Sequence, residues 1–219
     1  MVKQALSYGV IGKAFENGLL ELHCCNPRDF ADNKHRRVDD KPFGGGAGMV
    51  MMYDPLLKAL EFVKSQSSHI GPVVFLSPQG KKMVQSHCNQ WSEQKNITFI
   101  CGRYEGVDQR FIDDHVDLEI SIGDYVVSGG EMAACVAIDA LGRQIKGVLG
   151  SDESAETDSF MSGKLGYPQY TRSEKLGQSG VPSILLSGHH EDIRKWRDDQ
   201  SLKLTKLRRP ELLEGTSES

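Results

Sequence analysis

The sequence lacks the patterns of a disulfide-rich or membrane-spanning protein. Its five cysteines contain no CxxC pair, and an odd number without metal-ligand spacing is typical of reduced thiols (Cys24, Cys25, Cys88, Cys101 and Cys135). No apolar run approaches the roughly 20 residues that cross a bilayer, and the N-terminal residues contain no apolar signal core. We therefore expect a cytoplasmic protein with no membrane partner and no metal-ligand cluster.

The chain also lacks an excess of positive charge. Its 219 residues carry 26 Lys and Arg against 30 Asp and Glu, which gives a net charge of −4. A hydrophobic content of 38% is ordinary for a globular protein of one large domain, with or without a small appendage. Any contact with nucleic acid must therefore come from a local basic patch rather than from the protein as a whole.

Two common phosphate-binding motifs are absent as well. The glycine run at residues 44–48 matches neither the Walker A sequence nor G-x-G-x-x-G. It lies in a long polar connection, residues 26–52, which also holds the apolar Phe30 and Phe43. Long connections in compact domains are usually functional or disordered, and the apolar residues favour a binding loop.

Short apolar runs that alternate with helical spacing predict an α/β fold with a mostly parallel sheet. The strands are predicted at residues 19–25, 72–76, 97–101 and 118–122, with a turn at 77–80. The helices are predicted at residues 2–16 (interrupted at Gly9 and Gly12), 54–63, 81–94, 107–115, 132–148 and 190–207. The helix at 132–148 is predicted to bury Met132, Val136, Leu141 and Ile145.

Two glycine-rich stretches follow neighbouring predicted strands. CGRYEG begins at Cys101, and SIGDYVVSGGE begins at Ser121. Loops at the carboxyl ends of parallel strands are where such sheets bind ligands, and glycine lets the backbone approach a ligand closely. Simple turns are the alternative, but five glycines at two neighbouring strand ends favour a ligand site.

The last third of the chain differs in composition. Residues 150–180 are rich in Ser, Gly, Asp and Glu without periodicity, which predicts a linker or lid at a domain boundary. Residues 194–209 hold seven Lys or Arg against two Asp. Most charge runs are solvated helix faces, so this basic stretch alone leaves RNA binding open.

Eight motifs, in matching order, resemble the TrmD family of bacterial tRNA (guanine-N1)-methyltransferases, of the SPOUT class. They are PRDF, VDDKPFGGGAGM, LSPQG, CGRYEGVDQR, SIGDYVVSGGE, DSF, YTR and LRRPELL, and the resemblance runs over residues 8–215. It implies a deep trefoil knot, which the rules for chain connections would not predict. It also implies a catalytic domain at 1–149, a linker or lid at 150–172 and a small helical tRNA-binding domain at 173–219. Members of that family have an apolar strand before their first helix, and none precedes the predicted helix here.

By the same resemblance, the chain transfers a methyl group from S-adenosyl-L-methionine to N1 of the guanosine at position 37 of tRNA, beside the anticodon. S-adenosyl-L-homocysteine is the product. The implied cofactor-binding residues are Phe75, Leu76, Ser77, Pro78, Gly102, Tyr104, Glu105, Gly106, Ile122, Gly123, Asp124, Tyr125, Val126, Val127, Gly129 and Gly130. Phe75 and Val127 stand where relatives often have Tyr and Leu, which are packing changes.

The resemblance assigns the catalytic roles to Asp158 and Arg143. An ordinary Asp has a pKa near ~3.9, far below that of guanine N1, so removal of the N1 proton by the carboxylate alone is uphill. A cation on O6, where negative charge builds as the proton leaves, makes the transfer feasible. Without the resemblance, the sequence predicts only that Asp158 is exposed to solvent and that Arg143 is a cation which complements the dipole at a helix end.

The implied tRNA contacts are His35, Asp39, Arg172, Arg194, Lys195 and Arg197. A guanine that must expose its Watson–Crick edge is reached in a single-stranded loop or after flipping, which fits an anticodon loop. The resemblance further implies a homodimer with an active site shared between subunits, and an activity supported by Mg²⁺.

Two alternatives remain open at this stage. A nucleotide-binding oxidoreductase would use a similar sheet, but the sequence lacks G-x-G-x-x-G and the acidic residue that follows it. A non-catalytic RNA-binding module would not need Glu105, Arg143 and Asp158, and it should bind RNA without S-adenosylmethionine.

Overall fold

A computed structural model describes residues 1–151, 155–173, 176–177 and 179–214. Its internal contacts divide the chain into two compact units, Met1–Gly150 and Ser151–Ser219. The predicted three-part division at 149 and 172 stays a prediction.

The first unit is built on a three-stranded parallel sheet. The central strand β3 (Val73–Lys82) pairs on one side with β4 (Thr98–Cys101) and on the other with β5 (Leu118–Ser121). A separate antiparallel pair joins β1 (Asp39–Asp40) to β2 (Val50–Met51). The predicted parallel α/β sheet is therefore confirmed.

Helices cover both faces of this sheet. Those of the first unit are α1 (Val2–Ala5), α2 (Gly9–Glu16), α3 (Tyr53–Gln66), α4 (Gln85–Ser92), α5 (Gln109–His115) and α6 (Gly130–Gly142). Helices α1, α2, α4 and α6 contribute to the core on one face, and α3 and α5 to the core on the other. Burial on both faces explains why β3 begins with four consecutive apolar residues that are all buried.

Several predicted elements or boundaries were wrong. Residues 19–25 form no strand, although Leu20 and Leu22 pack against the core. Residues 77–80 do not end β3 but bulge out of it, since Leu76 and Lys81 both pair with Ile120. Helix α4 consequently begins only at Gln85, because residues 81 and 82 still belong to the strand.

Helix α6 was predicted at 132–148 but ends at Gly142, so Ile145 lies beyond it. The buried face of α6 also differs from the prediction. Met132 and Val136 are 47% and 48% exposed, whereas Ala133, Ala134 and Ala137 are buried. The helix begins so close to β4 that a Cβ placed on Gly130 would lie 2.8 Å from the Cα of Cys101. Only small side chains fit between helix and sheet at that distance. The predicted burial of Leu141 is confirmed.

The second unit contains one long helix, α7 (His190–Arg208), where residues 190–207 were predicted to be helical. Short 3₁₀ helices precede and follow it at Ser183–Leu186 and Pro210–Leu213, and a third lies in the first unit at Pro27–Phe30. No helix among the described residues is both long and apolar enough to cross a membrane.

Candidate functional site

The loop after β4, residues 102–106, is bonded directly to the start of α6. The Gly130 N–H donates to the Gly102 carbonyl over 2.8 Å. A Cβ on Gly102 would lie 2.9 Å from the ring of Phe75, and one on Gly130 would lie 2.9 Å from the Gly102 nitrogen. Glycine is therefore required at both positions by close packing, which the sequence could only suggest.

The loop after β5 is held by its own hydrogen bonds. The Ser121 hydroxyl donates to the Gly123 carbonyl over 3.0 Å, and the Tyr125 hydroxyl donates to the Ile122 carbonyl over 3.3 Å. Gly123 has φ of 151°, a value that L side chains rarely adopt. Asp124 is paired with Lys82, whose Nζ lies 2.8 Å from the carboxylate.

The predicted cofactor residues lie in β3, in the bulge within it, in the loops that follow β4 and β5, and at the first residue of α6. Phe75 and Leu76 are buried in the core. Four apolar residues of the two loops stay exposed, with exposed fractions of 46% for Tyr104, 58% for Tyr125, 83% for Val126 and 39% for Val127. Apolar side chains left in solvent beside glycine backbone fit a flat, partly apolar ligand. The residues present therefore fit an adenosyl group.

An ion pair that sequence reasoning missed joins the loop after β4 to α6. Arg103 Nε donates to Glu131 Oε1 over 2.7 Å, which connects the first loop to the first turn of α6. The second carboxylate oxygen, Oε2, is buried without a hydrogen-bond partner among the described residues. The sequence signal that could have indicated this pair is Glu131 itself, which follows two glycines at the start of a helix, where carboxylates are favoured.

The polar connection 26–52 is bonded to the loop after β4. The Glu105 N–H donates to the Met49 carbonyl, and the Met51 N–H donates to the Gly106 carbonyl, both over 2.9 Å. The Glu105 side chain lies so close to Gly48 that a Cβ there would overlap it. The glycine run therefore makes room for Glu105, a role that its sequence did not indicate.

Arg28 makes a further connection that the sequence did not reveal. Its Nη2 donates to the Tyr104 hydroxyl over 2.9 Å, and its Nη1 donates to the Arg36 carbonyl over 3.1 Å. The structure thus brings the segment of His35 and Asp39 beside the cofactor loop. His35 is exposed, and Asp39 pairs with Met51 in the β1–β2 ladder.

The two predicted catalytic residues lie in different units. Arg143 follows α6 directly and is half-buried, with its N–H donating to the Asp139 carbonyl over 3.2 Å. Asp158 belongs to the second unit and is exposed, with its N–H donating to the Ala155 carbonyl over 3.3 Å.

The predicted tRNA-binding residues of the second unit are all exposed. They are Arg172, Arg194, Lys195 and Arg197. Lys195 lies 3.5 Å from Glu191, one helical turn away. The Arg197 guanidinium stands over the Tyr167 ring, 4.8 Å from its centre, so this side chain already has an aromatic partner within its unit.

None of the five cysteines forms a disulfide. Burial, with Glu131 nearby, raises the pKa of the Cys101 thiol to about 12, which keeps it protonated and unreactive at neutral pH. Among the described residues, no three His, Cys, Asp or Glu side chains are grouped to hold a metal ion.

Comparison with known proteins identifies the family. The family described as tRNA (Guanine-1)-methyltransferase TrmD matches residues 1–215. A tRNA (guanine-N(1)-)-methyltransferase of Shewanella amazonensis is 51% identical over 215 residues, which cover 98% of this chain and 86% of the relative. The enzyme of the same name from Haemophilus influenzae strain PittGG is 51% identical over 98% of this chain and 87% of its own length, and that of Actinobacillus succinogenes gives the same three values. The chain therefore belongs to the TrmD family of tRNA (guanine-N1)-methyltransferases.

Proposed function

We propose that this protein methylates N1 of the guanosine at position 37 of tRNA, with S-adenosyl-L-methionine as the donor. The observation that carries the proposal is the pair of glycine loops at the carboxyl ends of β4 and β5, the two parallel strands that flank β3, together with the hydrogen bond from Gly130 to Gly102. Those loops lie in a chain that matches the family over residues 1–215.

The three stretches 75–78, 102–106 and 122–130 hold the cofactor in this proposal. Exposed Tyr104 and Tyr125 provide apolar surface for the adenosyl group, and the exposed Glu105 carboxylate suits its cationic methionine end. The cofactor supplies a methyl group that is already activated by its sulfonium. The protein therefore contributes orientation and the control of one proton.

That proton is the one on guanine N1. Asp158 accepts it, and Arg143 stabilises the negative charge that develops on O6 as the proton leaves. The carboxylate needs this help because an ordinary Asp is a much weaker base than the deprotonated N1 position.

We infer that tRNA binds through the exposed His35 and through Asp39, Arg172 and the outer face of α7. The exposed pair Met132 and Val136 on α6, together with Val126, supports a homodimer in which a second copy covers these apolar side chains. We also propose the trefoil knot of the SPOUT class, supported by the return of the chain from β5 to Gly102. Support of the activity by Mg²⁺ and a cytoplasmic location complete the proposal.

One pair of measurements tests this function. Calorimetry with S-adenosylmethionine and with NADH should detect binding of the first alone, because an oxidoreductase would bind the second. Methyl transfer is then followed on a tRNA transcript and on the same transcript with guanosine 37 replaced by adenosine. Methylation of both transcripts, or of neither, would refute the assigned position, and RNA binding without cofactor binding would mean a non-catalytic module.

A further inference from the structure

Residues 158–167, the Asp158 loop, are closed on themselves by hydrogen bonds. The Phe160 N–H donates to the Lys164 carbonyl over 2.7 Å, and the Gly163 N–H donates back to the Phe160 carbonyl over 3.2 Å. The Gly166 N–H donates to the Ser159 hydroxyl over 2.8 Å. The residue that carries the proposed base therefore begins a loop of defined shape.

One residue of this loop adopts an unfavourable backbone conformation. Phe160 has φ of 75°, in the left-handed region that a bulky side chain avoids unless its surroundings hold it there. The guanidinium of Arg209 stands over the Phe160 ring, 5.6 Å from its centre. Arg209 is itself fixed by an ion pair with Glu211, and this pairing lowers the pKa of the Glu211 carboxyl.

A buried hydroxyl on α7 holds the same loop at a second point. Thr205 is fully buried, and its Oγ1 accepts a hydrogen bond from the Leu165 N–H over 3.0 Å. The same hydroxyl donates to the Ser201 carbonyl over 2.7 Å, so both of its hydrogen-bonding functions are used. Without this hydroxyl, a part-buried backbone N–H of the loop would lose its partner.

We propose that Thr205 and Arg209 are positioning residues for the methyl transfer, because they hold the Asp158 loop through Leu165 and Phe160. The inference rests on the proposed role of Asp158. Helix α7 then has two roles. Its outer face carries Arg194 and Lys195 for RNA binding, whereas Thr205 and the adjoining Arg209 fix the loop that contains Asp158.

The expected size of the effect follows from the chemistry. A displacement of about 1 Å in a catalytic group can lower a rate by about a hundredfold. Loss of one holding contact should therefore reduce kcat and leave substrate binding largely unchanged, because neither Thr205 nor Arg209 is assigned a contact with tRNA or cofactor.

The first test compares two substitutions of one residue in the full chain. Thr205→Val keeps the side-chain shape and removes the hydroxyl, whereas Thr205→Ser keeps the hydroxyl and removes the methyl group. We expect Thr205→Val to lower kcat between about tenfold and a hundredfold. The KM for tRNA and the calorimetric Kd for S-adenosylmethionine should stay within about twofold of wild type. Thr205→Ser should retain most of the wild-type kcat.

The second test covers the case in which Thr205→Val fails to fold. Arg209→Lys keeps the charge but removes the planar group above Phe160, and Arg209 is exposed, so folding should survive. Arg208→Lys, an exposed neighbour on the last turn of α7, is the matched control. We expect a lower kcat only for Arg209→Lys.

The outcomes separate this inference from the proposed function. A wild-type protein that does not methylate tRNA, or an Asp158→Ala variant with full activity, would refute the roles on which the inference rests. If wild type is active and Asp158→Ala is inactive, an unchanged kcat in folded Thr205→Val and Arg209→Lys would overturn the positioning role. A rise in KM with unchanged kcat would equally overturn it and assign these residues to tRNA binding.

Discussion

The loop after β4 in the first unit and the Asp158 loop of the second are held by different means. The loop after β4 is fixed by backbone hydrogen bonds, to Met49 and from Gly130, and by close packing at Gly102 and Gly130. The Asp158 loop is fixed from outside by side chains, through Thr205 and Arg209. A loop held by backbone contacts tolerates few substitutions at its glycines. In a loop held by side chains, each contact can be removed separately by substitution of one residue.

The largest effect should come from a substitution at Gly130, which packs against the loop after β4. Gly130→Val places a branched side chain against Cys101 and Gly102, so the start of α6 has to move away from the loop after β4. We expect S-adenosylmethionine binding to be lost in calorimetry and the free energy of unfolding to fall by about 1–3 kcal/mol. Gly150→Val is the control, because a Cβ at Gly150 meets no atom within 4 Å. Wild-type cofactor affinity in Gly130→Val would sink the assignment of these loops.

A mixing experiment asks whether the two regions work within one subunit or across two. Asp158→Ala and Gly130→Val should each be inactive. If Asp158 serves the cofactor loops of the other subunit, random exchange of subunits gives mixed dimers with one complete site each. About a quarter of wild-type sites then return, since about half of the dimers are mixed. Continued inactivity after verified exchange would place both groups in one chain.

A smaller effect is expected on the outer face of α7. Replacing Arg194 and Lys195 by Ala removes two exposed cations and should weaken tRNA binding. The slope of log Kd against log salt should fall by about 1.5, as expected for two phosphate contacts. Cofactor affinity should not change. Lys64 and Lys95, exposed on the first unit, supply a control with the same loss of charge. An unchanged slope would identify this face as merely solvated.

The last prediction concerns the core beneath the loop after β4 and affects stability only at alkaline pH. Burial raises the pKa of Cys101 from 9.0 to about 12, so between those values the unfolded chain releases the thiol proton and the folded chain keeps it. The free energy of unfolding should therefore fall with rising pH in that window, by at most about 1.4 kcal/mol per pH unit for this group, and be unaffected below it. Urea unfolding of wild type and Cys101→Ala at about pH 8 and about pH 11 isolates this contribution. Equal pH dependence in both proteins would show that the thiol is not shielded.

The sequence predicted the parts of the fold that depend on local pattern. The apolar runs at β4 and β5 were found within one residue of their true ends, and α7 was found almost complete. Residues 19–25 have the composition of a strand but pair with no strand among the described residues. Composition cannot tell whether a pairing partner exists.

Some residues of the candidate site could likewise be predicted from local pattern, and others could not. Glycines and carboxylates at strand ends indicated the cofactor loops, whereas Asp158 and Arg143 came only from the family resemblance. Arg28, Arg103 and Thr205 were missed because their partners lie far away in sequence: Leu165 and Thr205, for example, are 40 residues apart. For α6, helical periodicity favoured the larger side chains Met132 and Val136 as the buried face. The first turns of the helix instead bury Gly130, Ala133 and Ala134, where a Cβ on Gly130 would already lie 2.8 Å from the backbone of β4.

The bulge in β3 has a consequence for how this family could diverge. Because Leu76 and Lys81 pair with the same residue, Ile120, the ladder resumes after residues 77–80 as if they were absent. An insertion or deletion between Ser77 and Gln79 would change the length of the excursion without shifting any strand pair. Gly80 is different, since a side chain there would overlap the backbone of Glu119. Evolution can thus vary the length of the segment around Ser77 and Pro78 while the register of the sheet stays constant, provided that residue 80 remains glycine.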